Sequence, residues 1–210
     1  MLIQGQVGPI AGLQSIAPGT NAPMRQGNLG DQIVSELHGR YFEANYRRAL
    51  FNGAITGQVT TVALATTYTG LCLSNPVGSQ VNLSLLKAGF GFLVAFAAAS
   101  TIGLMVGYNS STNVTHTTPV TPRSQFVGVG AAGVGLLDSA ATLPTAPTLN
   151  TILGVGLTGA ITTVPSIMAS IVDLEGSIIL PPGAYCAFYT STVSGAAAGA
   201  FSFTWEEIPI

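Results

Sequence analysis

Residues 177–190 read Ser-Ile-Ile-Leu-Pro-Pro-Gly-Ala-Tyr-Cys-Ala-Phe-Tyr-Thr, two apolar runs separated by Pro181-Pro182-Gly183. β-Branched and aromatic side chains suit a pleated surface, whereas Pro and Gly set the backbone angles of a turn and stop regular structure. The segment therefore reads as strand, turn, strand. The same texture recurs in Val59-Thr-Thr-Val-Ala-Leu, Tyr68-Thr-Gly-Leu-Cys-Leu, Val81-Asn-Leu-Ser-Leu-Leu and Ala200-Phe-Ser-Phe-Thr-Trp. Asn75-Pro76 with Gly78-Ser79 divides two of these runs, and tight connections between antiparallel strands are expected at both breaks. The fold class this predicts is all-β, an antiparallel β-sandwich or jelly roll.

Composition narrows the function. At 210 residues the chain fits one domain, or one domain with an arm. Charged residues make up 7%, against roughly 25% in an ordinary soluble domain, while 48% are hydrophobic. A disordered chain would combine low hydrophobicity with high charge, and this one has neither. A surface of Thr, Ser, Gly and Ala without mixed charge suggests that neighbouring subunits cover much of it, in an oligomer or a shell. With a net charge of -2 and six Lys+Arg, the basic footprint for direct nucleic-acid binding is missing. The start, Met1-Leu-Ile-Gln-Gly-Gln, has no basic region ahead of an apolar core, so assembly in a cytoplasm is expected. Ala88–Tyr108 is uncharged over the length of a membrane span, but Gly89, Gly91, Gly103, Gly107 and the Ser100-Thr101 pair split it into two strand-like clusters. No membrane is expected as a partner.

Charge is unevenly distributed. Arg25, Asp31, Glu36, Arg40, Glu43, Arg47 and Arg48 place half of all Lys, Arg, Asp and Glu residues between positions 25 and 48. Residues 1 to about 30, with Pro9, Pro18 and Pro23, read as an extended arm. From Asp31 to Leu50, Ile33, Leu37 and Tyr41 recur every four residues, and Glu36/Arg40 and Glu43/Arg47 are spaced as i,i+4 pairs. A short amphipathic helix satisfies both signals, although Gly39 weakens it and Tyr41-Phe42 with Tyr46 would also suit a strand. Two domains of organisation follow: residues 1–50 as arm and charged connecting segment, and residues 51–210 as a single jelly-roll domain. Within 109–170, Asn109-Ser-Ser-Thr-Asn and Pro119, Pro122, Pro144 and Pro147 suggest long surface loops.

Candidate sites are few. Arg40, Tyr41, Phe42, Tyr46, Arg47 and Arg48 combine the residue types enriched at protein interfaces, so they are candidate contacts to a partner or a neighbouring subunit. The plainer reading is an amphipathic element packed on its own domain. Cys72 and Cys186 stand alone, with no metal-type spacing, and read as small buried apolar residues, a disulfide being the alternative. Gly128–Gly133 and Gly154–Gly159 match GxGxxG, but neither sits in a βαβ unit, so both read as Gly/Ala loops. His38 and His116 lie in segments of different character and no GxSxG places a nucleophile, though a triad stays open. Asp173 and Glu175 read as solvated or interface carboxylates. Glu206-Glu207 would point to opposite faces of a strand and so would not share a site. Three Asn-X-Ser/Thr matches, at Asn82, Asn109 and Asn113, are what a Ser/Thr-rich chain produces freely. No catalytic, metal or cofactor residues are assigned, and a non-enzymatic role is expected.

Three stretches together resemble a family of tailed-phage virion proteins: Glu36-Leu-His-Gly-Arg-Tyr-Phe-Glu43; Thr69-Gly-Leu-Cys-Leu-Ser-Asn-Pro76 with Gly78-Ser79-Gln-Val-Asn-Leu83; and Ile179-Leu-Pro-Pro-Gly-Ala-Tyr185 with Trp205-Glu-Glu-Ile-Pro209. The resemblance implies a jelly-roll decoration, or cement, protein on the surface of an icosahedral head. Such a subunit clamps neighbouring major capsid proteins, associates with itself, with a trimer favoured, and carries no catalytic residues. The alternative is a receptor- or glycan-binding jelly-roll module of a phage tail or head fibre, which requires a groove lined by exposed Trp or Tyr with polar partners. Trp205 is the only Trp. A third reading is a membrane-associated virion protein anchored through Ala88–Tyr108.

Overall fold

The structure is a computed structural model that describes residues 5–6, 24–25, 39–60, 64–94, 96, 98–128, 132–156, 168–193 and 199–210. The chain divides into two compact units, residues 1–42 and 43–210. In the first, β1 (Gly5–Gln6) and β2 (Met24–Arg25) pair in parallel. The proposed arm and the segment Asp31–His38 otherwise lie outside the described residues. A five-residue helix, α1 (Phe42–Tyr46), follows them. Among the described residues of Asp31–Leu50 the helical signal is realised at Phe42–Tyr46, and Leu50 already belongs to a strand.

The second unit is built from β3 (Leu50–Gln58), β4 (Thr67–Ser74), β5 (Val81–Phe92), β6 (Ser100–Tyr108), β7 (Thr115–Val120), β8 (Arg123–Ser124), β9 (Leu136–Thr142), β10 (Thr148–Gly156), β11 (Met168–Leu180), β12 (Ala184–Thr190) and β13 (Gly199–Pro209). They form a five-stranded sheet, β11-β5-β13-β3-β8, and a six-stranded sheet, β10-β6-β12-β4-β9-β7. Every pairing in both sheets is antiparallel. With β7, β8 and β9 set aside, β3, β5, β11 and β13 face β4, β6, β10 and β12. Each late strand inserts between two early ones, β13 between β3 and β5 and β12 between β4 and β6. That interleaving is the double Greek key of a jelly roll, as the strand texture led one to expect.

Alternation decides which side chains meet between the sheets. In β13, Phe201, Phe203 and Trp205 are buried while Ala200, Ser202 and Thr204 are half-buried, the two-residue period of a strand with one face inward. Opposite them stand Leu71 and Leu73 of β4, Ile102 and Leu104 of β6 and Phe188 of β12. The Phe188 ring lies 4.7 Å from the ring centroids of both Phe201 and Phe203, and Trp205 stacks on Phe51 at 6.1 Å. Each of these aromatics buries a large apolar area in the core.

The turns quoted at the outset behave differently from the expectation. β11 and β12 belong to different sheets, as do β4 and β5, so neither break is a hairpin. Each chain segment crosses from one sheet to the other. Asn75, almost fully buried, ties the two crossings together: its side-chain amide donates to the carbonyls of Val81 and Leu180 at 2.8 Å each. Its backbone N–H donates to Ala184 O at 2.9 Å and its carbonyl accepts from Gly183 N at 2.8 Å.

The expected loops within 109–170 are in large part strands. β7 and β9 widen the six-stranded sheet and β8 pairs with β3, so this insertion between β6 and β10 adds to both layers. Pro119 is tolerated because β7 is an edge strand, where a missing N–H leaves no ladder bond open. The six-stranded sheet is also packed on its outer face, by Tyr68, Cys72, Met105, Val114, Ala141, Leu143, Tyr185 and Ala187. Two tyrosines lie against glycines there. A Cβ on Gly107 would stand 2.2 Å from the Tyr185 hydroxyl, and one on Gly70, at φ +131°, would stand 2.2 Å from the Tyr68 hydroxyl. The hydroxyls then reach carbonyls, Tyr185 to Thr145 O at 2.6 Å and Tyr68 to Phe188 O at 2.8 Å.

Candidate functional site

The charged segment forms a short surface element. Arg40, Phe42, Glu43, Tyr46, Arg47 and Arg48 are exposed, whereas Tyr41 is half-buried. Within the second unit, α1 ends on backbone bonds from Arg47 N to Glu43 O and from Arg48 N to Asn45 O. Arg47 pairs with Glu43 at 2.8 Å, an exposed i,i+4 pair worth a few tenths of a kcal/mol. Arg48, at φ 61°, places its guanidinium 5.9 Å from the Phe126 ring centroid, and Asn45 donates to Gln125 O at 3.3 Å. These contacts dock the C-terminal half of the segment on the β8 region and leave the Tyr46 ring and the Arg47 head facing outward.

Among titratable groups the structure joins one pair that lies 22 residues apart in sequence. Asp138 of β9 is buried and its Oδ2 meets His116 Nδ1 of β7. Burial pushes the Asp138 carboxyl up from its ordinary value, and the bond to His116 opposes that shift. Cys72, in register with Asp138 on β4, is fully buried, and desolvation raises its pKa well above the usual thiol value. It stays protonated, so it is no activated nucleophile. Cys186 is likewise buried and raised; the two thiols are free, Cys72 in the outer cluster and Cys186 in the central core. His38 lies outside the described residues.

Glu207 and Asp173 have structural partners. Glu207 accepts from Val134 N at 2.8 Å, Gly135 N at 2.8 Å and Trp205 Nε1 at 3.2 Å, fastening the insertion to β13. Asp173 pairs with Lys87 at 3.1 Å, and Glu175 sits at φ 52° in the irregularity that interrupts the β11–β5 ladder. Among the described residues no group of three or more His, Cys, Asp or Glu could hold a metal ion. Ala88–Tyr108 spans the end of β5, a connection and β6, and no described helix is long and apolar enough to cross a membrane.

A cleft of about 630 Å³ opens between the sheets where β6 and β10 face the end of β11. Val106, Ile178, Leu180 and Ala184 form its floor, and Tyr108, Thr145, Thr148, Asn150 and Ser177 its rim. Trp205, by contrast, is fully buried and cannot serve as an exposed platform. The sequence offered no signal for this cleft, because its residues come from four separate strands and two connections. No family model matches the chain, no curated protein matches it, and no solved structure matches it.

Proposed function

We propose that this chain is a structural virion protein that decorates an icosahedral phage head and stabilises it by clamping neighbouring major capsid proteins. One observation carries most weight: exposed Arg and aromatic side chains gather at residues 40–48, while the jelly-roll body exposes apolar side chains along its strands. Leu149, Ile152 and Val155 of β10 and Ile171 and Ile179 of β11 are exposed on strands at one side of the sandwich. In water such side chains favour burial against another surface, which suits a homo-oligomer, with a trimer favoured. The charged segment is then left to bind the capsid through Arg40, Tyr41, Phe42, Tyr46, Arg47 and Arg48. The order of the three family-like stretches along the chain agrees with this role. The subunit would assemble in the host cytoplasm without nucleic acid or membrane.

Electron microscopy of purified chain added to matching empty capsids tests the reading. Density at fixed lattice positions is expected, and it should weaken in a variant with Arg40, Arg47 and Arg48 changed to Ala while sedimentation still reports the oligomer. Absence of binding to every capsid state would overturn the role. Loss of the oligomer in the triple variant would show that the two surfaces had been assigned the wrong way round.

A further inference from the structure

The cleft between β6, β10 and β11 borders the apolar face proposed for the oligomer and shares Ile179 with it, but its polar rim has chemistry that the clamping role does not use. None of its lining side chains carries a charge. A charged ligand would therefore leave water without a counter-charge, which is costly. The ligand that fits is neutral. The rim sets a half-exposed aromatic ring, Tyr108 at 56% exposure, beside uncharged polar groups: Asn150, Ser177 and Thr148, whose hydroxyl donates to Val106 O at 3.3 Å and keeps its oxygen to accept. Asn150 Oδ1 already accepts from Thr151 Oγ1 at 2.7 Å, which directs its amide N–H groups elsewhere. Thr145 is held by Tyr185, whose hydroxyl donates to Thr145 O at 2.6 Å, so this part of the rim is fixed to the sheet.

A ligand for this arrangement needs one apolar flat face for the ring and the aliphatic floor, and a perimeter of hydroxyls for the rim. A pyranose has both, with axial C–H groups on one face and hydroxyls around its edge. An aliphatic ligand would leave Asn150 and Ser177 unused, and an anionic one would meet no cation. At about 630 Å³ the cleft lies within the range of small-ligand sites and leaves room for more than one sugar ring. We infer that the cleft beside Tyr108 binds a neutral saccharide, with the Tyr108 ring as the stacking platform and Thr148, Asn150 and Ser177 as hydrogen-bonding partners. This goes beyond the clamping role and would give a head-surface protein a hold on neutral surface glycans.

The test is titration of the full chain with maltose, lactose and N,N′-diacetylchitobiose, with sialyllactose as the anionic comparison, followed by NMR shifts and calorimetry. At least one neutral disaccharide should perturb residues lining the cleft, and Tyr108→Ala should weaken that binding about tenfold, the scale of one lost aromatic contact. Tyr108→Phe, which keeps the ring, should bind within about threefold of the parent. Thermal melting of both variants reports whether the fold is intact. The inference is overturned if none of the neutral sugars perturbs the cleft, if binding survives Tyr108→Ala, or if sialyllactose binds best. Shifts at the cleft that track protein concentration instead of sugar would assign it to a second copy and also overturn it. Capsid binding by Tyr108→Ala, measured by the same microscopy, should be unchanged, so failure here and failure of the clamping role are distinguishable.

Discussion

Replacing Asn75 should be among the most damaging single polar changes in this domain. Its side-chain amide donates to Val81 O and Leu180 O, both at 2.8 Å, in a site the solvent hardly reaches. Asn75→Ala removes both donors, depriving Leu180 O of this bond and leaving Val81 O only the longer one from the Ser79 hydroxyl at 3.3 Å, where water cannot readily replace them. Each hydrogen bond contributes about 1 kcal/mol net and each orphaned group costs about 1–3 kcal/mol, so a loss of about 3 kcal/mol is expected. Asn75→Asp keeps the shape but turns an oxygen toward the two carbonyls, and should cost more than Ala. Urea unfolding followed by tryptophan fluorescence is a direct assay, because Trp205 is the only Trp and is fully buried. With a slope of about 2 kcal/mol/M, the Ala variant should unfold about 1.5 M earlier, with the slope itself unchanged. A midpoint shift below about 0.3 M, or an Asp variant as stable as the parent, would refute the idea that this side chain holds the two sheet crossings together.

Three further outcomes follow from other contacts. Gly107→Ala should displace the Tyr185 ring, whose hydroxyl stands 2.2 Å from the new methyl position, and lower stability by about 1–3 kcal/mol in thermal melting; an unchanged melt would refute the packing described. Glu207→Ala should cost about 2–4 kcal/mol, because Val134 N, Gly135 N and Trp205 Nε1 lose a charged acceptor, and the variant's tryptophan emission should shift. Because burial raises the Asp138 carboxyl in the folded state, its contribution to stability is fully present below the unfolded carboxylate value and declines as pH rises through the folded one. Asp138→Asn should therefore gain stability relative to the parent between pH 4 and pH 7, measured by denaturation at each (about the range from the unfolded value upward); a relative loss over that interval would reverse the assignment.

The inward faces were legible because local alternation and global burial agree: Phe201, Phe203 and Trp205 could be read two by two. The sheet crossings were not. Pro181-Pro182-Gly183 signals a turn equally well for a hairpin or for a crossing, and the difference rests on which strand lies alongside, a property of β4, β6 and β12 together. Residues 109–170 read as loops because Asn, Gly and Pro, which are depleted in strands, punctuate the stretch, although its Thr residues suit a strand. Ladder bonds at an edge and packing against Tyr68 and Tyr185 outweighed that propensity. The His116–Asp138 pair and the Tyr108 cleft are products of register and layer order, which spacing along the chain does not encode. Asn75 was visible only as a turn residue, since the carbonyls it serves lie six and 105 residues away.

The pairing of the first and last strands of the body has a mechanical consequence. Leu50 lies opposite Glu206 and Gln58 opposite Gly199, so residue 50 and the chain end leave the five-stranded sheet at the same edge of the block. Tension between the charged segment and the C-terminus would peel β3 from β13 one bond at a time, the weakest way to load a ladder. Tension between the charged segment and the opposite end of the block would instead draw β3 along its own axis, so that its bonds to β13 resist together. On the proposed clamping role a swelling shell would be best restrained when the body is gripped at the end remote from residue 50, and a single-molecule pulling experiment with handles at the two alternative ends would separate the weak direction from the strong one.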